Sequence, residues 1–384
     1  MRELRCNRFV RGFLILCLAG VIGGGLIACS SSPSATDKQD QSQAAQTEDK
    51  MADRTITDVA GRSVTIPGVD ALKKIYYTGA PGQIYCFTLA PELAGGSTME
   101  FTPAELEYLP EGTKDLPYLG TLSGGKELNP EAIMAANIQV MFSVTTATPS
   151  EADKSQADDL QKQTGIPVVI LDGSLDKTAE TYKALGELLG KEDAAAKLAT
   201  YCEDALNEVD AAVATVPADK RLSLYYAEGP EGLQTEPEAS PHALSYKLAG
   251  AKNVADGVEV GKGKGMSPVS LEQVLAWNPE VIIAWDDAVR GGADEVIRTD
   301  PNWSTIKAVQ DGRVYTMPNV PFSWCDRPPA VNRILGVQWV ANTLYPKAYD
   351  VDMVKVTKEF YSTFYHRDIT DAQAKSILGN SYTK

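Results

Sequence analysis

The sequence predicts an α/β protein of two Rossmann-like lobes joined by a single long rigid α-helix, with a cleft between the lobes. Three observations carry that expectation. Residues 191–216 contain no Gly and no Pro, and they place Leu198, Cys202, Leu206, Val209 and Val213 at helical spacing, with Tyr201 and Ala205 alongside. Short apolar runs alternate with amphipathic segments on either side of this stretch, the pattern of mainly parallel sheets. One motif also occurs on both sides, at an offset of 141 residues. At ~1.5 Å per residue the central helix spans on the order of 38 Å, the length of a small domain. Glu192 and Asp193 lead it, where a helix N-terminus favours negative charge.

Before the first lobe the chain reads as an address. Arg2, Arg5, Arg8 and Arg11 precede an apolar run over 13–28, the layout of a secretory signal. It ends Leu26-Ile27-Ala28-Cys29, which looks like a bacterial lipobox, so residues 1–28 are expected to be removed and the Cys29 thiol lipidated. Residues 29–53 offer almost nothing to bury and are expected to form a disordered tether. The N-terminal α/β lobe is expected over 54–175, a helical region with the bridging helix 191–216 over 176–216, and the C-terminal α/β lobe over 217–384.

Without residues 1–28, 32 of the 36 basic and 50 of the 51 acidic side chains remain, a net −18. Such a chain lacks the basic face that nucleic-acid phosphates require. Contact with a membrane is expected only through the lipid anchor, at the outer face of a bacterial cell membrane or in the periplasm, and a monomer is expected. Cys6 and Cys17 leave with the signal and Cys29 carries lipid. That leaves Cys86, Cys202 and Cys325, too scattered for a disulfide framework or a Cys-x-x-Cys metal site.

Taken in order, residues 54–67 alternate apolar and polar side chains around Ala60-Gly61, predicting a β-hairpin. A strand follows at 74–77, a loop at 79–82 and a helix from 83 to 89. Strands are predicted at 138–143 and 167–171 with a helix at 150–164 between them, then a helix at 178–189 closed by Gly190. Beyond the long helix, 221–226, 280–285 and 313–317 read as strands and 241–248 and 329–344 as helices.

The repeated motif places Asn129, Glu131, Ala135 and Asn137 before one strand and Ser270, Glu272, Ala276 and Asn278 before another. Each copy opens on a residue that caps a helix and puts its Glu in the first turn. The shared register favours duplicated lobes.

Several chemistries find no support. His242 and His366 are the two histidines, too few for a three-His metal cage. A Ser-His-Asp hydrolase would have to use one of them, and no nucleophile–base pair stands out. His366 is expected on the surface, and His242 to cap or pack. Gly261-Lys262-Gly263-Lys264-Gly265 lacks phosphate-loop spacing and a leading strand, so a mobile surface loop is expected there. Nothing points to an enzyme or to a resident cofactor.

In open α/β sheets ligands bind beyond the carboxyl ends of the strands. There the sequence sets Tyr85, Thr145, Tyr226, Trp285, Arg290, Trp324 and Arg327. Aromatic rings with two Arg and hydroxyls suit a bulky, partly anionic small molecule. Trp324 is expected to cover a flat face of it, and Arg327 to pair an anionic group.

Residues 54–67, RTITDVAGRSVTIP, resemble the opening of the iron-complex, haem and cobalamin substrate-binding proteins of ABC importers. SLEQVLAWNPEVII at 270–283 is similar to that family's signature, as are DPNWSTIKAVQDGRVY at 300–315 and PFSWCDRPP at 321–329 with the segment that follows. The resemblance covers 54 to the C-terminus. It implies two lobes on one rigid helix, and an ABC permease dimer with its cytoplasmic ATPase as partner. It also implies Glu131 and Glu272 as the acids that meet permease arginines. The expected cargo is a chelated iron complex, a ferric siderophore, haem or cobalamin-like ligand. Relatives that bind molybdate, tungstate or nickel and cobalt complexes keep the cargo open. Two other classes compete: a surface lipoprotein hydrolase, and an adhesive lipoprotein with filled space between the lobes.

Overall fold

The computed structural model describes residues 50–122, 125–261, 265–286 and 292–381. The expected signal segment, Cys29 with the expected tether up to residue 49, Arg290 and residues 262–264 of the glycine–lysine loop lie outside them. Alternation over 54–67 produces the hairpin of β1 (Arg54–Thr57) and β2 (Ser63–Ile66), antiparallel, turning through Gly61 at φ 77. Asp58 explains the Asp-Val-Ala-Gly-Arg wording of this stretch. Its buried carboxylate accepts from the amides of Ala60, Arg62 and Ile170 and from the Arg62 guanidinium at 3.0 Å, stitching the hairpin to the sheet behind it.

The first sheet is built from β3 (Ile75–Tyr77), β4 (Val140–Thr145) and β5 (Val168–Asp172), all parallel in the order β3-β4-β5. Around it lie α1 (Ala80–Leu89), α2 (Pro103–Leu106), α3 (Pro130–Ala135), α4 (Glu151–Thr164) and α5 (Thr178–Leu189). The predicted loop at 79–82 shrinks to Gly79. Ala80, Pro81 and Gly82 already form the first turn of α1, where proline's missing N–H costs nothing. The long helix is α6 (Glu192–Ala214), set off from α5 by Gly190 in the left-handed conformation. At 23 residues it runs ~34 Å and packs against both α5 and α11. Leu198, Cys202, Ala205, Val209 and Val213 are its buried stripe, whereas Leu206 and Tyr201 are half-buried.

The second sheet has β6 (Ser223–Ala227), β8 (Lys252–Asn253), β10 (Val281–Ala284) and β11 (Val314–Thr316), parallel in the order β11-β10-β6-β8, with β7 (Gln234–Thr235) and β9 (Ser267–Pro268) as a small antiparallel pair. Its helices are α7 (Leu244–Leu248), α8 (Leu271–Trp277), α9 (Asp294–Thr299), α10 (Lys307–Gln310) and α11 (Asn332–Leu344), followed by α12 (Met353–Tyr365) and α13 (Asp371–Leu378). Two helix starts move from their predicted places. Pro241–Ala243 form a tight 3₁₀ turn before α7, and α11 begins at Asn332, beyond the two prolines at 328–329.

The repeated motif has a structural counterpart. Asn129 caps α3 and Ser270 caps α8, and each helix feeds a strand, β4 or β10, flanked by strands on both sides. The matching asparagines, Asn137 at φ 59 and Asn278 at φ 44, take the left-handed turn that ends each helix, a conformation Asn tolerates better than most side chains.

One apolar core runs from β3 and α1 through α6 to α11 and α12, so both sheets share it, while a second cluster covers the other face of each sheet. The chain crosses between the sheets through α6, but α12 returns to pack on α1. His366, exposed at the end of α12, bonds the Thr88 carbonyl at 3.1 Å, and Arg367 donates to Leu109 O at 2.6 Å. The sequence shows no sign of this second junction.

Candidate functional site

The carboxyl ends of both sheets face a cleft of about 1080 Å³. One wall comes from α1 and its neighbours, with Ala80, Pro81, Met99, Phe101 and Thr146; the other carries His242, Asp286, Asn319, Phe322 and Arg327. α1 presents its N-terminus here, and its cap residue Gly79 supplies no side-chain hydrogen bond to the first-turn amides.

Arg327 is positioned by a loop clamped onto α11. Asn332 donates to the carbonyls of Ser323 and Pro328, the latter at 3.0 Å, and Ser245 donates to Cys325 O at 2.6 Å. Gly336 lets the loop lie on the helix, since a Cβ there would meet the Trp324 carbonyl at 2.0 Å. From this loop the guanidinium, with 18% of the side chain exposed, reaches three fully buried carboxylates. Its Nη2 donates to Glu236 at 2.6 Å and stands 3.4 Å from Glu228, while Nε lies 3.0 Å from Asp326. Its carbon sits 5.8 Å over the Trp285 ring. Asp326 also holds His242 through Nδ1.

The three carboxylates do not have equal partners. Glu236 accepts from Arg327, from the Met266 amide at 2.7 Å and from the Ser240 hydroxyl at 2.6 Å. Glu228 has the longer contact to Arg327 and lies beside Glu236, and one of its oxygens has no hydrogen-bond partner within normal distance. Burial first, then the charges of Asp326 and Glu236, push its pKa up to about 9, so at neutral pH Glu228 keeps its proton.

These carboxyl groups place one oxygen each within 4.8 Å of one another, the spacing of a cation site. The Arg327 guanidinium already occupies that role. The arrangement is therefore a pinned cation, held by acids beneath it.

The residues expected to touch cargo divide. Arg327 lines the cleft, but its fork is turned to the acids and not held open for an anion. Thr145 is half-buried and donates to the carbonyls of Ala147 at 2.6 Å and Leu171 at 3.2 Å; its neighbour Thr146 lines the cleft instead. Trp324, Trp285, Tyr226 and Tyr85 are all buried. Trp324 lies in the core against α11 and does not line the cleft, because its loop turns inward at Gly336. Trp285 lies under Arg327, and the Tyr226 ring packs tilted against Tyr246 with centroids 4.7 Å apart. Arg290 is outside the described residues. His242, expected to cap or pack, reaches the cleft wall. Glu236 and Arg333 escaped sequence reasoning; the acids at 228 and 236, bracketing a turn with two Gly and a Pro, were the available signal for the first.

Glu131 and Glu272 are both exposed, in the first turns of α3 and α8. Backbone and Ser270 hydrogen bonds hold the Glu272 carboxyl below its ordinary pKa.

The comparisons with known proteins accord with this geometry. The model of the periplasmic binding protein family matches residues 125–321. The molybdate-binding protein MolA of Haemophilus influenzae is 30% identical over 348 residues, covering 82% of this chain and 92% of its own. The chain belongs to the periplasmic binding protein family. A solved ABC transporter solute-binding protein from Sulfurospirillum deleyianum is 30% identical, superposes with a TM-score of 0.76 and covers 85% of this chain and 99% of its own. The structure of MolA bound to molybdate superposes at 0.64 with 26% identity, covering 83% and 99%. Membership makes this an extracytoplasmic substrate-binding component of an ABC transporter. Its relatives are solute-binding proteins, not enzymes. Among the described residues, no helix is long and apolar enough to cross a membrane.

Proposed function

We propose that this protein captures a metal-centred anion, an oxyanion of the molybdate class, in the cleft between its sheets and delivers it to an ABC permease. The observation that carries the reading is a buried cation behind one wall of the cleft and a helix N-terminus on the other. Arg333 lies behind the wall that His242 lines, bonded to the Pro241 carbonyl, and the N-terminus of α1 opens on the facing wall. The 30% identity to a molybdate-binding protein over most of both chains supports the same cargo. A ferric chelate is the second reading. It is favoured by the size of the cleft, about 1080 Å³, and by Met99, Phe101 and Phe322 on its walls, more room and more apolar surface than a tetrahedral oxyanion needs.

Thermal unfolding of the full-length protein with molybdate, tungstate, ferric siderophores, haem, cobalamin and nickel–histidine tests both. At a hundredfold excess over Kd, mass action stabilises by ~2.7 kcal/mol. Stabilisation by molybdate or tungstate sustains the first reading, and by ferric chelates alone the second. Silence from every anionic and chelated probe defeats the proposal. In this reading Glu131 and Glu272 meet permease arginines and Cys29 carries the lipid anchor. A processed Cys29→Ala protein that still fractionates with membranes would count against the anchor.

A further inference from the structure

Arg333, in the first turn of α11, is 1% exposed. Its Nη1 donates to the Pro241 carbonyl at 3.4 Å, while Nε and Nη2 have no hydrogen-bond partner among the described residues. A guanidinium does not shed its proton inside a protein, so the charge stays. Asp326 is the strongest opposing charge that acts on it, and Asp176 a weaker one. Both oxygens of Asp326 are already engaged, Oδ1 by His242 and Oδ2 by Arg327. A buried, hydrogen-bond-poor cation is among the costliest groups a fold can hold.

A second buried polar group, carried by a helix of the first sheet, shares this condition. Tyr85, on α1, is fully buried, its hydroxyl has no hydrogen-bond partner, and it interacts electrostatically with Arg333. Thr178 and Thr181 neighbour it, with hydroxyls that donate to the carbonyls of Leu175 at 2.8 Å and Lys177 at 2.9 Å and stand beyond hydrogen-bond distance of Tyr85. Tyr77, within electrostatic reach of Tyr85, also has a hydroxyl without a partner. Buried polar groups left without partners are rare, and several in one place ask for a common acceptor. The direction of approach is also defined. Pro241, which receives Arg333, adjoins His242, and His242, Pro328 and Pro329 line the cleft.

We infer that Arg333 and Tyr85 form a buried oxyanion seat behind the cleft wall at Pro241 and His242. Two oxygens of the anion accept from Nε and Nη2 side by side, and a third from the Tyr85 hydroxyl, so the ligand joins donors from both halves of the molecule. The inference rests on the anionic-cargo reading and gives it an address distinct from Arg327.

The test is calorimetric titration of full-length wild type, Arg333→Met, Arg333→Lys and Tyr85→Phe with sodium molybdate, alongside thermal unfolding without anion. Arg333→Met is expected to bind at least ~30-fold more weakly, the scale for removing one partner of a buried charged pair. Without anion it should melt at the same temperature as wild type or higher, because an uncompensated charge has gone. A merely structural arginine predicts the reverse, a lower melting temperature with affinity unchanged. Arg333→Lys and Tyr85→Phe should each weaken binding at least several-fold, and they carry the test if Arg333→Met does not fold. Unchanged affinity in both overturns the seat. If wild type binds neither molybdate, tungstate nor sulfate, the anionic-cargo reading itself fails; if wild type binds and Arg333→Met binds equally well, the seat alone does.

Discussion

Arg327 and Arg333 lie six residues apart on one loop-to-helix junction, yet they meet opposite surroundings. Arg327 reaches three buried carboxylates, the nearest at 2.6 Å, and rests over the Trp285 ring. Arg333 is more deeply buried and has one long bond, to a carbonyl at 3.4 Å. The difference teaches that a positive charge at a cleft is not by itself an anion site. A guanidinium whose fork is filled by carboxylates is scaffolding, and one left with unfilled donors is poised for a ligand. The guanidinium offers the same donors in both cases; only the surroundings differ.

The sharpest break of this comparison is Arg327→Ala. It leaves Glu236 and Asp326 buried without their counter-charge, so unfolding stability should fall by about 3–5 kcal/mol. Urea denaturation measures it. Equal losses from Arg327→Ala and Arg333→Met would erase the distinction.

A smaller effect concerns the proton on Glu228. Its native pKa of about 9 lies above the ordinary 4.5. Between those values the folded state binds the proton and the unfolded state does not. The group's stabilising contribution is therefore full below pH 4.5 and is lost as pH rises toward 9, by on the order of a few kcal/mol. Glu228→Gln keeps the shape without the titration. Its stability profile should be flatter than wild type over that interval, and a parallel profile would show that Glu228 is not the proton carrier.

The smallest expected effect lies away from both arginines. Glu131→Ala and Glu272→Ala should leave cargo affinity unchanged. Each alone should slow uptake modestly and the two together clearly more, since rim charges act chiefly on association. Uptake in cells equal to wild type for the double variant would leave these acids as first-turn charges with no role in docking.

Much of the fold was legible because it is written in local periodicity. The helix predicted over 191–216 appears as Glu192–Ala214, and the alternation at 54–67 becomes the β1–β2 hairpin. The repeated Asn was visible as a pattern, and the structure adds its cause in the left-handed φ of Asn137 and Asn278. Pro81 was misread because proline marks both loops and first turns, and only the backbone chooses between them. The return of α12 onto α1 joins residues almost 280 positions apart, His366 and Thr88, and no local signal encodes such a contact.

The site was legible in kind but not in orientation. The sequence by itself determined that aromatic, cationic and hydroxyl side chains gather at the ends of parallel strands, because strand–helix alternation places those loops on one edge. Whether Trp324 faces cleft or core was decided by tertiary packing at Gly336, and whether Arg327 faces ligand or scaffold by Glu228, Glu236 and Asp326 folding beneath it. Side-chain direction depends on partners remote in sequence. Burial then sets the charge: the proton on Glu228 and the exposed need of Arg333 arise only when water is removed from around them.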